Sequence, residues 1–120
     1  MTFKSIALLK RKDGLSRQEF IDYYENNHAP LIVSLTPGLK AYHRNFVDWD
    51  GAFPAADGTE INFDSVTEIW FEDRAAYDAA VAVWTRPEVA QAIADDEENV
   101  FDRSKTRMFV VDETKSPIGA

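Results

Sequence analysis

The spacing of apolar residues changes several times along the chain, and each change marks the end of one element and the start of another. Residues 2 to 10 (TFKSIALLK) form a short apolar run that ends at the turn Lys12-Asp13-Gly14, which predicts a first strand. From Ser16 the period lengthens to four, with Phe20, Tyr24 and His28 on one helical stripe that Leu31 and Ile32 extend. Ser16 with Glu19 three residues on forms a capping box, in which hydroxyl and carboxylate each satisfy an unpaired backbone N–H. Pro30 has no N–H to donate and crowds the turn before it. It predicts a kink or restart near Asn27 and Ala29, a break that re-aims the neighbouring imidazole.

Pro37-Gly38 closes this segment, and residues 39 to 47 (LKAYHRNFV) read as a second strand. Its alternation places Leu39, Ala41, His43 and Asn45 on one face and Tyr42, Arg44 and Phe46 on the other. Residues 48 to 64 are rich in turn formers and too long for a routine connection, so they form either a functional lid or a mobile insertion. Trp49, Phe53 and Phe63 favour a packed lid. SVTEIWF (65 to 71) predicts a third strand. Asp73 then caps a helix whose stripe is Ala76, Tyr77, Ala80, Val81 and Trp84. Thr85 and Glu88 suggest a second capping box opening a helix to about Glu98, and residues 106 to 112 read as the last strand before a frayed tail.

The resulting order βαββααβ predicts an α+β, ferredoxin-like fold over residues 1–120 as a single domain, a four-stranded antiparallel sheet with helices on one face. The other sheet face then needs cover, and pairing with a second copy buries it, which predicts an isologous homodimer.

Composition narrows the partners. A net charge of −8 lacks the basic footprint that phosphate backbones require, so nucleic acid is excluded as a partner. No apolar run is long enough to cross a membrane, and the start of the chain lacks a signal-peptide pattern, which predicts a cytoplasmic protein with no membrane partner. The absence of cysteine removes disulfides, thiolate nucleophiles and zinc–thiolate sites together. Asp48, Asp50, Asp57 and Asp64 lack the ligand spacing of a calcium loop and read as a solvated acidic loop, and the two histidines lack metal-ligand spacing, so no metal is expected. Aromatic residues make up 12% of the chain, which fits either a ring-rich core and dimer seam or a pocket for an aromatic ligand.

The segments Leu9-Lys10-Arg11-Lys12, Gly14-Leu15-Ser16, Glu19-Phe20, His28-Ala29-Pro30-Leu31, Pro37-Gly38-Leu39 and Glu68-Ile69-Trp70-Phe71 together resemble the EthD domain family. The match runs in order over most of the chain and leaves out residues 48 to 64. The resemblance implies a dimeric α/β barrel, a site between sheet and helices, and no metal or organic cofactor. It implies no single reaction, since members look like ether-degradation accessory proteins, muconolactone methylisomerases, and dehydratases or decarboxylases of aromatic polyketides. His28 matches the position implied as catalytic in the methylisomerase-like members, and Tyr42 matches a strand tyrosine of the same pocket. Those members carry a cysteine where this chain has Ile69, which counts against thiol-dependent chemistry.

A histidine that titrates near neutrality can take and return a proton, so His28 is the expected general acid/base, with Tyr42 polarising the reacting oxygen. The bland alternative for His28 is a core histidine bonded to a helix carbonyl. Glu68 interrupts an apolar strand, as either a buried acid or a dimer-seam carboxylate paired with Lys4 or Arg107. His43 is a second-rank candidate facing away from Tyr42. Phe20, Tyr24, Ile69, Phe71 and Trp84 are the expected walls for a small apolar or aromatic molecule. The expected function is a cofactor-independent lyase or isomerase acting on a small hydroxylated aromatic or related catabolic intermediate. The alternatives are a ligand-binding accessory protein for a catabolic oxygenase and a cofactor-less monooxygenase.

Overall fold

The computed structural model describes residues 2–60 and 62–119, so Met1, Ile61 of the long loop and Ala120 of the tail lie outside the described residues. Strands β1 (Phe3–Leu9), β2 (Ala41–Phe46), β3 (Ser65–Phe71) and β4 (Arg107–Val111) form one antiparallel sheet in the order β2-β3-β1-β4. Helices α1 (Arg17–Tyr23), α2 (Ala29–Leu35), α3 (Arg74–Trp84) and α4 (Pro87–Glu97) cover one face, so the fold is α+β and ferredoxin-like. The period-two pattern holds: in β1 and β3 alternate residues are buried, with Ser5, Ala7, Leu9, Ser65, Thr67, Ile69 and Phe71 facing the helices.

Two clusters fill the space between sheet and helices. Phe20 and Tyr24 pack with Phe101, Val100 and Leu9, and Ile69, Phe71 and Ala80 form the other cluster with Trp84 and Tyr77 around them. Phe20, Tyr24, Phe46 and Phe101 meet edge to face at centroid separations of 5.3 to 6.0 Å, the geometry that places ring hydrogens against π-faces. Leu39 joins the second cluster rather than sharing the Ala41 and His43 face, because it precedes the first paired residue of β2 and escapes the strand's alternation.

The break ahead of Pro30 takes a definite form. Between α1 and α2 the backbone makes a π-helical turn, Tyr24–His28, in which Ala29 N–H donates to the Tyr24 carbonyl five residues back. Pro30 then sits in the first turn of α2, where its missing N–H costs nothing. A widened turn relieves the crowding of the proline ring against the carbonyl one turn earlier, and such turns recur at functional sites. The Arg44 guanidinium grips Glu25 with two hydrogen bonds, of 2.7 and 2.9 Å, and ties the turn to β2.

One expectation about local structure is corrected. The Ser16–Glu19 capping box is present, but the Thr85–Glu88 box is not: α4 begins after Arg86, and Thr85 Oγ1 donates back to the Val81 carbonyl at 2.8 Å to finish α3. The Thr85 N–H that Glu88 would serve in such a box already donates to the Val81 carbonyl at 3.0 Å. In the segment 48–64, Phe53 is 93% exposed and Trp49 turns down to donate to Asp64 Oδ1 at 3.3 Å.

The open sheet face carries Ile6, Leu8, Val66, Trp70 and Phe109 around a charged group in which Lys4 lies 3.2 Å from Glu68 and also holds Glu113. Ser16→Ala is expected to destabilise the protein by about 1 kcal/mol in urea unfolding, whereas Thr85→Ala, which removes only a back-bonded hydroxyl, is expected to lose less than half as much.

Candidate functional site

Small side chains leave a hole in the layer between sheet and helices. Ala7 and Thr67 on the sheet face Ala90 and Ala94 on α4, and the space they do not fill is a cavity of about 250 Å³. Its apolar wall is completed by Leu9, Ile32, Ile69, Trp84, Ile93 and Met108. A shallower depression shares Glu97, Arg103 and Thr106 with it, and these residues form the mouth. The Trp84 indole N–H donates to Thr36 Oγ1 at 3.0 Å, and Thr36 in turn donates to the Ile32 carbonyl at 2.6 Å, which fixes the ring as a wall.

His28 lies at the inner end, 3% exposed, between the rings of Tyr24 and Phe101. The π-helical turn carries it inward, and α4 supplies its partner: Nδ1 is 2.8 Å from Asp96 Oδ2. The other oxygen of Asp96 accepts from Tyr23 at 2.7 Å, and Asn99 donates to the same phenol at 3.0 Å. Burial and the adjacent Asp96 carboxylate both push the Tyr23 phenol upward, so it remains a neutral donor. Among the described residues no buried side-chain nitrogen or oxygen lacks a partner, and His28 Nε2 makes no hydrogen bond to protein. Nε2 therefore opens onto the cavity that His28 lines. The core-histidine alternative, with a helix carbonyl as partner, does not hold; the partner is a carboxylate.

Hydroxyls line the wall beside the imidazole. Tyr42 OH donates to Tyr24 OH at 3.3 Å, Tyr24 OH is 2.8 Å from Thr67 Oγ1, and Thr67 is 3.0 Å from Ser65 Oγ. Burial pushes the Tyr24 phenol up to about 12, against the opposing hydrogen bonds from Thr67 and Tyr42. It pushes Tyr42 up further still, helped by Tyr24. Neither ionises near neutrality, so both act as neutral hydrogen-bonding groups.

Several of the sequence-derived candidates come together here and others do not. His28, Tyr42, Tyr24, Ile69 and Trp84 all line the cavity, while Phe20 and Phe71 are packed behind it in the two clusters. His43 and Glu68 lie opposite one another on the open sheet face, on the far side of the sheet from the cavity. Desolvation of Glu68 is outweighed by hydrogen bonds from Asn45, Lys4 and Trp70 and by the Lys4 charge, so its carboxyl is held below its usual value and the buried-acid alternative is overturned. The Lys4 partner is the one that forms. Four contributors escaped sequence reasoning: Tyr23, Asp96, Glu97 and Arg103. One signal for them exists, because Asp95-Asp96-Glu97-Glu98 sets four acids at the C-terminal end of a helix, against its dipole.

A wider hollow of about 660 Å³ lies under the 48–64 loop, beside Lys10 and Arg11. Both cations are occupied by buried Asp64, at 3.4 and 3.9 Å, and no histidine or tyrosine lines the hollow. Among the described residues no group of three or more His, Cys, Asp or Glu side chains is arranged to hold a metal ion, and no helix is long and apolar enough to cross a membrane.

The EthD domain model matches residues 12–104, a span that includes His28, Tyr42, Asp96 and the whole of α4. The chain belongs to the EthD domain family. Among solved structures, this EthD domain is similar to an ethyl tert-butyl ether D family protein of Bacillus halodurans, at 23% identity and a TM-score of 0.63, over 95% of this chain and 100% of that one. It is also similar to a dimeric protein of unknown function from Bacteroides fragilis, at 13% identity and a TM-score of 0.58, over 93% and 96% of the two chains. A third is SnoaB, a cofactor-independent oxygenase of Streptomyces nogalater, at 12% identity and a TM-score of 0.54, over 96% and 93%. At these identities the likeness is one of fold. No curated protein matches the sequence of this EthD domain.

Burial is also the first cause acting on Glu97 at the mouth, and it raises the carboxyl despite the opposing charges of His28 and Arg103. A carboxyl raised by folding contributes full stability below its unfolded value and loses it as pH rises through the folded value. The stability of Glu97→Gln relative to the native protein is therefore expected to increase between about pH 4 and pH 7, read from urea unfolding at each pH.

Proposed function

We propose that this EthD domain is a cofactor-independent lyase or isomerase that moves a proton on a small hydroxylated aromatic or related catabolic intermediate, with His28 as general acid/base. The observation that carries this reading is the buried imidazole bonded through Nδ1 to Asp96 with Nε2 open to the cavity. A carboxylate on Nδ1 fixes the tautomer with the free lone pair on Nε2 and stabilises the imidazolium formed when that lone pair takes a proton. Removal of a C–H or O–H proton leaves negative charge on a substrate oxygen, and Tyr42, a neutral phenol in the same wall, would turn its one O–H from the long 3.3 Å bond to Tyr24 and donate it to that oxygen. Returning the proton to a second carbon completes an isomerisation. Delivering it to a departing hydroxyl completes a dehydration.

The cavity size supports a small substrate, since about 250 Å³ lies below the roughly 300–1,000 Å³ common for larger ligands and suits one or two rings. A second reading is a cofactor-independent oxygenase, favoured by the fold likeness to SnoaB. There the same base makes a phenolate that then reacts with dioxygen.

Deuterium incorporation from D2O into a panel of one-ring hydroxylated aromatics, followed by NMR without oxygen, tests the proposal. His28→Gln is expected to slow exchange by about 10²–10⁴-fold while binding persists, and Tyr23→Phe, which frees Asp96, by a smaller factor. Tight binding with no exchange in the native protein would favour the accessory-protein alternative, and consumption of oxygen would favour the oxygenase.

The open sheet face, with Ile6, Trp70 and Phe109, supports a homodimer formed by pairing two such faces about a two-fold axis, as does the dimeric state of the Bacteroides fragilis protein. Sedimentation at micromolar concentration is expected to give twice the mass of the 13.6 kDa chain, and Ile6→Lys to return the monomer. A monomeric native protein would contradict the pairing.

A further inference from the structure

We infer that the His28 cavity accepts an uncharged substrate and that Glu97 is the specificity-determining residue that turns carboxylated analogues away. The inference rests on the reading of this cavity as a site for small hydroxylated aromatics and adds the charge of the molecule it takes. Apart from the imidazole, Glu97 and Arg103 are the only carboxyl and the only cationic side chain among the described residues of the wall, and both sit at its mouth.

Arg103 is already shared between two acids. Its Nε lies 3.3 Å from Glu97 and its Nη1 3.4 Å from Glu98, so its charge is balanced before any anion arrives and an incoming carboxylate would lie beside both acids. Behind the imidazole stands Asp96, bonded to Nδ1. The carbonyls that end α4 at Glu97 add a partial negative charge at the same place. The four acids of residues 95–98 outnumber Arg103 and His28 even when the imidazole is protonated.

Burial already raises the Glu97 carboxyl, and a second anion in the cavity would raise it again, so binding a carboxylate would also require a proton. A neutral phenol or carbonyl compound meets none of these costs. Its polar groups find His28 Nε2 and Tyr42 OH on the wall, and its ring finds Ile69 and Trp84.

The matched pair 4-hydroxybenzamide and 4-hydroxybenzoate tests this, because the two have nearly the same outline and differ by one charge at pH 7. Binding is read by calorimetry and by quenching of Trp84, the tryptophan in the wall. The benzoate is expected to bind on the order of tenfold or more weakly than the benzamide. In Glu97→Gln that ratio is expected to shrink to about threefold or less, and in Glu88→Gln, an exposed acid in the first turn of α4, to stay as in the native protein.

The native ratio is a test that needs no variant. Equal or tighter binding of the benzoate would overturn the inference, and its loss in Arg103→Gln would make Arg103 a carboxylate clamp instead. An unchanged ratio in Glu97→Gln would remove Glu97 from the role. Failure of both compounds to bind would sink the aromatic reading of the cavity and this inference with it, whereas equal binding of both would sink this inference alone.

Discussion

The bond between His28 and Asp96 is the constraint on which the site depends. Helix α4 has no buried residue of its own, and the small side chains beneath it leave a cavity rather than a packed seam. What holds its C-terminal half is polar: Asp96 accepts from Tyr23 and bonds the imidazole, and Asn99 reaches the same phenol. Just beyond, Val100 and Phe101 are fully buried, with Lys12 N–H donating to the Val100 carbonyl and Asp102 N–H to that of Lys10, both at 2.9 Å. The element that roofs the cavity is thus fixed to the first helical segment through the group that would do the chemistry. Orienting the imidazole and closing the roof are one interaction.

The cavity follows from side-chain size as much as from topology. Bulky residues at Ala7, Thr67, Ala90 and Ala94 would fill it and tie α4 down by dispersion. Instead the large side chains are displaced to either side, Phe20, Tyr24 and Phe101 on one and Phe71, Tyr77 and Trp84 on the other, and their edge-to-face contacts form two walls. Buried hydroxyls at Ser5, Ser65 and Thr67 leave no unsatisfied atom, because each finds a neighbour on the sheet or on Tyr24. Stability given up in the middle of the layer leaves room for a ligand.

Much of this could be read from the chain, and the residues show why. Burial alternates strictly over SVTEIWF, and since period two puts Glu68 opposite Ile69 and Phe71, its outward position follows once those two are seen to face the helices. The Phe20, Tyr24 and His28 stripe survives the widened turn, since residues four apart stay near one face of a π-helical turn as well as of an α-helical one. Asp96 was out of reach because its partner lies 68 positions away, and long-range pairing leaves no local pattern. Thr85 misled for a related reason: the same Thr-to-Glu spacing serves a cap only when the hydroxyl points forward, and here it completes the helix behind it. The exposure of Phe53 was not legible in composition, because an aromatic side chain predicts packing only where something is there to pack against.

The two faces of the sheet divide the polar work, and the division is electrostatic. On the open face Lys4 and Glu68 offset one another beside Trp70, whose ring centroid lies 4.2 Å from the Lys4 ammonium, so that surface is paired as well as apolar. On the covered face the polar groups are hydroxyls with phenols raised by burial, and the one imidazole has its balancing charge on a different helix. A neutral hydroxyl wall beside a single carboxylate-backed imidazole leaves the low-dielectric cavity no isolated ion to hold. Glu97 is the exception, an acid half-buried at the mouth with its upward shift only partly offset by Arg103, and under the proposed reading it is the group that sets the charge of the molecule admitted.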